Sequence, residues 1–64
     1  SLNFDENALS SSQVNLILNR MLNVTPFSGS YINVIGQNPL APPTGQGIID
    51  KQTLINTGNN VITD

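Results

Sequence analysis

Residues 2–9, LNFDENAL, decide the fold. Leu2 and Phe4 stand two apart, the spacing that places both side chains on one face of a strand. Asn7 and Leu9 then follow at intervals an ordinary strand does not use, so the chain must turn after Phe4. Directly beyond, Ser10-Ser11-Ser12-Gln13 reads as a capping box, with Ser10 as N-cap and Gln13 at the third helical position. Strand, turn and helix start are packed into a dozen residues.

The helix carries Val14, Ile17, Leu18 and Met21 at i, i+3, i+4 and i+7, one face of a 3.6-residue period. Asn15, Asn19 and Arg20 fall mainly on its other faces, and Leu16 and Leu22 widen the apolar stripe, which predicts a well-covered helix. It should end near Leu22 or Asn23, ahead of Pro26. Residues 25–30 are rich in turn formers. Residues 31–35 read as a strand with Ile32 and Val34 on one face. Residues 36–47 carry Asn38-Pro39, Pro42-Pro43 and three glycines, and read as loop. A shorter helix is expected over residues 48–57, with Ile48, Ile49, Leu54 and Ile55 supplying apolar contacts and Gly58 just past its end. After a turn at Asn59-Asn60, residues 61–63 form the last strand.

The order β-α-β-α-β defines an α/β fold with a small parallel sheet, since helical crossovers join parallel strands. The strand starts at Leu2, Ile32 and Val61 recur about every thirty residues, within the range of repeat architectures.

With that period, Leu2-x-Phe4-x-x-Asn7-x-Leu9 resembles the leucine-rich-repeat core L-x-L-x-x-N-x-L. The resemblance implies that Asn7 is a ladder residue, its amide bonding backbone groups of the turn. Ile32-x-Val34 is followed by Asn38 and Leu40, one residue late, so the second unit is degenerate. The division is a first unit over 1–30, a second over 31–60 and a closing strand over 61–64, the irregular end of an array. The stretches 7–10, 13–18, 38–47 and 51–58 are together similar to the carboxy-terminal segment of leucine-rich-repeat-like proteins of bacteriophage virions and bacterial surfaces. An aromatic often follows the equivalent of Gly58 in those segments. Asn59 stands there instead, which predicts looser packing under the last strand. The family implies a single capping module of a virion or extracellular surface protein, with upstream repeats or other subunits as partners. It also admits a receptor- or glycan-binding tip of a fibre or adhesin.

Composition agrees with a structural part. Sixty-four residues make one small domain that buries only about 60% of its unfolded surface. The chain has neither Cys nor His, so disulfides and the common zinc sites are excluded. Its core is therefore expected to lean on something outside the chain. Arg20 and Lys51 face Asp5, Glu6, Asp50 and Asp64, a formal net charge of −2, which supplies no pull towards nucleic acid or anionic membranes. No apolar run approaches the ~20 residues that span a bilayer. The first residues carry neither a basic start nor an apolar stretch, so no signal peptide is expected. A surface rich in Asn, Ser, Thr and Gln fits a virion or extracellular protein.

Candidate sites are few. Ser10, Ser11 and Ser12 have no His to activate them, so they read as a helix start and not as a nucleophile. Asp5 and Glu6 are adjacent and point apart, unlike a converging catalytic pair. With Asn7 they offer oxygen ligands of the kind calcium takes, against the simpler reading of a solvated turn. Asp50 is expected in the first turn of the second helix, favoured by its dipole. Gly45-Gln46-Gly47 lacks the Lys and spacing of a phosphate loop. Asn23-Val24-Thr25 is a formal glycosylation sequon with Pro26 directly behind it. No catalytic, cofactor or metal residue is assigned. Leu2, Phe4 and Leu9 are assigned to packing or an interface, and Phe27 and Tyr31 to possible contact with a ligand. Leu2, Phe4, Val14, Ile17, Leu18, Met21, Ile32, Val34 and Leu54 make up the expected core.

Overall fold

The computed structural model describes residues 2–24 and 29–64. In chain order the elements are β1 (Leu2–Asn3), α1 (Ser11–Leu22), β2 (Tyr31–Asn33), α2 (Gln46–Asn56) and β3 (Asn60–Ile62). The turn expected over residues 25–30 and the candidate ligand contact Phe27 fall wholly or largely outside the described residues.

The three strands form one parallel sheet in the order β1-β2-β3. Leu2 pairs with Ile32 and Ile32 with Val61, so one unit is laid on the next at offsets of 30 and 29 residues. Each helical crossover advances one strand in the same direction, which stacks α1 and α2 on a single face of the sheet. Val14 and Leu18 of α1, Leu54 of α2, Ile32, Val34 and Ala41, and Val61 of β3 close into one core between the layers. Tyr31 and Ile35 alternate with Ile32 and Val34 and point to the opposite, open face.

The sequence explains α1 almost completely. Ser10 Oγ accepts from the Gln13 N–H at 3.2 Å, and Gln13 Oε1 accepts from the Ser10 N–H at 2.8 Å, the reciprocal capping box. Val14 and Leu18 are completely buried, while Ile17, Met21 and Leu22 are half-buried. Leu16 is 52% exposed, contrary to the expectation that it thickens the buried stripe. It lies on the flank away from Val14 and Leu18, bordering an open cleft between α1 and α2.

Helix α2 departs from expectation at its start. It begins at Gln46, two residues early, and its N-cap Gly45 makes no side-chain cap. Asp50 is consequently not in the first turn but shares a buried face with Gly47 and Leu54. Ile48, Ile49 and Ile55 are 57%, 58% and 38% exposed and do not join the core. Gly47 is needed because Asn15 of α1 lies against it: a Cβ there would run into the Asn15 amide. That amide is held on the chain before α2, with Asn15 Nδ2 donating to Thr44 Oγ1 at 2.9 Å and the Thr44 N–H donating to Asn15 Oδ1 at 2.9 Å. Alanine usually stabilises a helix interior over glycine by about 1 kcal/mol. At position 47 the sign should reverse: Gly47→Ala is expected to lower the thermal midpoint, read by circular dichroism. A raised midpoint would show that the helices separate without penalty.

The end of α2 follows its sequence. Gly58 has φ +95°, its N–H donates to the Ile55 carbonyl, and the Asn59 N–H reaches the Leu54 carbonyl at 3.1 Å, the paired bonds of a Schellman ending. Asn59 does not loosen the last strand. It is 5% exposed, donates Nδ2 to the Leu54 carbonyl at 3.0 Å and accepts the Ser30 N–H at 3.1 Å. Hydrogen bonds here do the fastening that an aromatic would do by packing.

Candidate interaction surface

At the C-terminal ends of the strands the two units repeat their polar contacts. Asn3 and Asn33 are register partners, and each accepts the backbone N–H two residues on, from Asp5 at 3.2 Å and Ile35 at 3.1 Å. Asn7 Nδ2 donates to the carbonyls of Phe4 at 2.9 Å and Asp5 at 3.1 Å, tying the turn together from an exposed position. Glu6 sits in this turn with φ +54°.

The residue in the matching place of the second unit is Gln37, thirty beyond Asn7, and not Asn38. Gln37 is 2% exposed. Its Nε2 donates to the Phe4 carbonyl at 2.8 Å and the Val34 carbonyl at 3.0 Å, and its Oε1 accepts the Leu9 N–H at 3.0 Å. One side chain thus stitches both units. Leu40, which the pattern aligned with Leu9, is 75% exposed, and Ala41 is buried instead. An Asn-centred pattern passed over Gln37, although the strand spacing of thirty pointed at it.

Asp64 closes the next turn. Its carboxylate accepts three backbone N–H groups, from Gly36 at 2.7 Å, Ala41 at 3.0 Å and Gln37 at 3.2 Å. The bonds from Ala41 and Gly36, followed by that from Gln37, hold its carboxyl below the usual carboxylate range despite some desolvation. Because its folded-state value is depressed, the contribution is present above the unfolded value of about 4 and is lost as pH falls through the lower folded value. Asp64→Asn is therefore expected to lower thermal stability at pH 7 and to make little difference well below pH 4. Melting curves of both proteins across pH check this. A gap that stays constant with pH would remove the carboxylate from the account.

The two ends of the stack differ. Leu9, Ile17 and Met21 are half-buried, as are Leu2 and Phe4 on the β1 side. Their counterparts on β2, Ile32 and Val34, are completely covered. On the β3 side, Val61 is 8% exposed and the next inward position is Thr63, whose Oγ1 accepts from Lys51 Nζ at 2.7 Å. The β1 edge thus presents half-buried Leu2 and Phe4, while the β3 side carries the Lys51–Thr63 clasp beside the exposed isoleucines of α2. Among the described residues β1 and β3 each pair only with β2, so both outer edges carry unpaired backbone groups.

The remaining candidates lie apart. Tyr31 is 36% exposed on the open sheet face, next to Asn60 across the strand pair and two residues from Asn33. Asp5 and Glu6 gather no further acids: among the described residues no group of three or more His, Cys, Asp or Glu could hold a metal. Among the described residues no helix is long and apolar enough to cross a membrane. Comparison of the chain with protein-family models, with curated proteins and with solved structures finds no match.

Proposed function

We propose that this chain is a non-enzymatic structural module, similar to the closing segment of a leucine-rich-repeat-like virion or extracellular surface protein. It packs through its β1 end onto a neighbouring repeat or subunit. The observation that carries the reading is that Leu2 and Phe4 are only half-covered, whereas Ile32 and Val34 one unit further in are fully buried. An apolar layer of this kind finishes its burial when another unit is laid on it, and the adjacent strand edge adds backbone hydrogen bonds. The Lys51–Thr63 clasp and the Asp64 turn suit the opposite role, closing the stack.

Sedimentation equilibrium, combined with binding of a hydrophobic dye, tests the proposal. The expected result is self-association or dye binding, with Leu2→Lys reducing either. A strict monomer that binds no dye would overturn it. A second reading, a glycan- or receptor-binding tip, is favoured by exposed Tyr31 between Asn33 and Asn60. A glycan array separates the two, since binding abolished by Tyr31→Ala belongs to the tip alone.

A further inference from the structure

Asp5 and Glu6 stand at one end of the β1 side of the molecule and Arg20 at the other, and among the described residues none of these three side chains has a charged partner. The acids fall in the turn directly after β1. Helix α1 starts beside that turn, where the Leu9 N–H meets Gln37 Oε1 and Gln37 Nε2 meets the Phe4 carbonyl. It then runs back for 12 residues, ~18 Å, so Arg20 in its last turn lies at the far end. Asn15 and Asn19 turn one flank of α1 towards the α2 side, bonding Thr44 and Asp50. At about 100° per residue, Ile17 and Arg20 fall on the other flank, over the β1 side of the sheet.

The open strand edge narrows to one residue. The Phe4 N–H donates to the Asn33 carbonyl of β2 at 2.7 Å, and peptide groups alternate along a strand, so the Asn3 N–H and C=O point away from the sheet. Just beyond, the backbone is already engaged: Asn3 Oδ1 takes the Asp5 N–H at 3.2 Å, and Asn7 Nδ2 donates to the Asp5 carbonyl at 3.1 Å. One residue with a free N–H and C=O is matched by the same residue of an antiparallel strand, because directly opposed residues there exchange both bonds. Charge selects the same arrangement. A parallel stack, β1 of one copy on β3 of another, would set Arg20 beside the end of α2 at Asn56 and Thr57, with no acid to meet. A two-fold axis at Asn3 reverses the second copy and brings its Asp5–Glu6 turn to the Arg20 end, and does so twice. We propose that the β1 end is a two-fold interface between two copies of this chain, Asn3 opposite Asn3, with Arg20 of each copy facing Asp5 and Glu6 of the other. The interface rests on the packing role of β1 proposed above, names the neighbour as a second copy, and stops the assembly at two.

Sedimentation equilibrium from about 10 μM to about 1 mM, the range of a weak dimer, is the test. The expected result is a monomer–dimer equilibrium whose mass never exceeds two copies. Arg20→Glu should weaken it roughly tenfold, and so should Asp5→Lys combined with Glu6→Lys, since each turns two symmetric exposed ion pairs repulsive. Mixing the two variant proteins should restore the dimer, because every facing pair is then again opposite in sign; damage to the fold could not be repaired in this way. Mass that climbs past two copies, association undiminished by Arg20→Glu, or a mixture no stronger than its parts would each overturn the two-fold interface. A monomer at every concentration would overturn it too, and dye binding that still falls with Leu2→Lys would then leave the packing role of β1 standing.

Discussion

Gln37→Leu is expected to cost the fold about 2–4 kcal/mol, far more than its place in a loop suggests. Leucine fills a similar volume at this buried site, so little packing is lost. What disappears is the single side chain serving Leu9 N–H, Phe4 C=O and Val34 C=O. A buried group stripped of its partner costs about 1–3 kcal/mol. The Phe4 carbonyl keeps Asn7 Nδ2, so the sum rests mainly on Leu9 and Val34. The midpoint of urea unfolding measures the effect. Asn7→Leu, at the exposed equivalent, should cost no more than about 1 kcal/mol, because water replaces the lost bonds. Equal losses at both positions would mean that burial does not set the energetics of the stitch.

Leu18→Ala should be the most damaging change in α1, at about 3 kcal/mol or more. Leu18 is completely buried in a core that counts seven residues among those described. A core in a domain this small rarely supplies more than about 3–5 kcal/mol in all. The variant is thus expected to be largely unfolded at room temperature, seen as lost helical circular dichroism and collapsed amide dispersion in NMR. Leu16→Ala, two residues away on the same helix, should shift stability by no more than about 0.5 kcal/mol, because that side chain is 52% exposed. Comparable losses from both leucines would contradict the assignment of faces.

The contrast between those leucines shows how far local pattern reaches. Periodicity marked Val14, Ile17, Leu18 and Met21, and the structure turns that stripe inward. Nothing in the same helix told Leu16 from a core residue, since its exposure depends on where α2 ends up. The start of α2 was hidden for a related reason. Gly45-Gln46-Gly47 reads as part of a loop because glycine weakens an isolated helix, whereas Gly47 is helical here and makes room for Asn15. Isoleucines 48, 49 and 55 are exposed because the apolar content of α2 does not gather on the face that meets the core.

The polar stitches divide in the same way. Asn7 stood out by its spacing from Leu2 and Phe4, and its bonds are to residues two and three away. Gln37 reaches Phe4 and Leu9, and Asp64 reaches Gly36 and Ala41, across 23 to 33 residues. Asp50 meets Asn19 across 31.

By itself the sequence determined the order β-α-β-α-β, the capping box of α1, the glycine that ends α2 and the thirty-residue period. Each of these follows from contacts within a few residues or from a repeat visible along the chain. Only the tertiary structure decided that Gln37 is the stitch, that Asp64 clasps the second turn, that Asp50 is buried beside a cleft, and that Leu2 and Phe4 stay half-covered at β1. Those depend on which helix face and which turn are brought together when one unit is laid on the next. A single amide or carboxylate carries no mark in the sequence of the distant backbone it will meet.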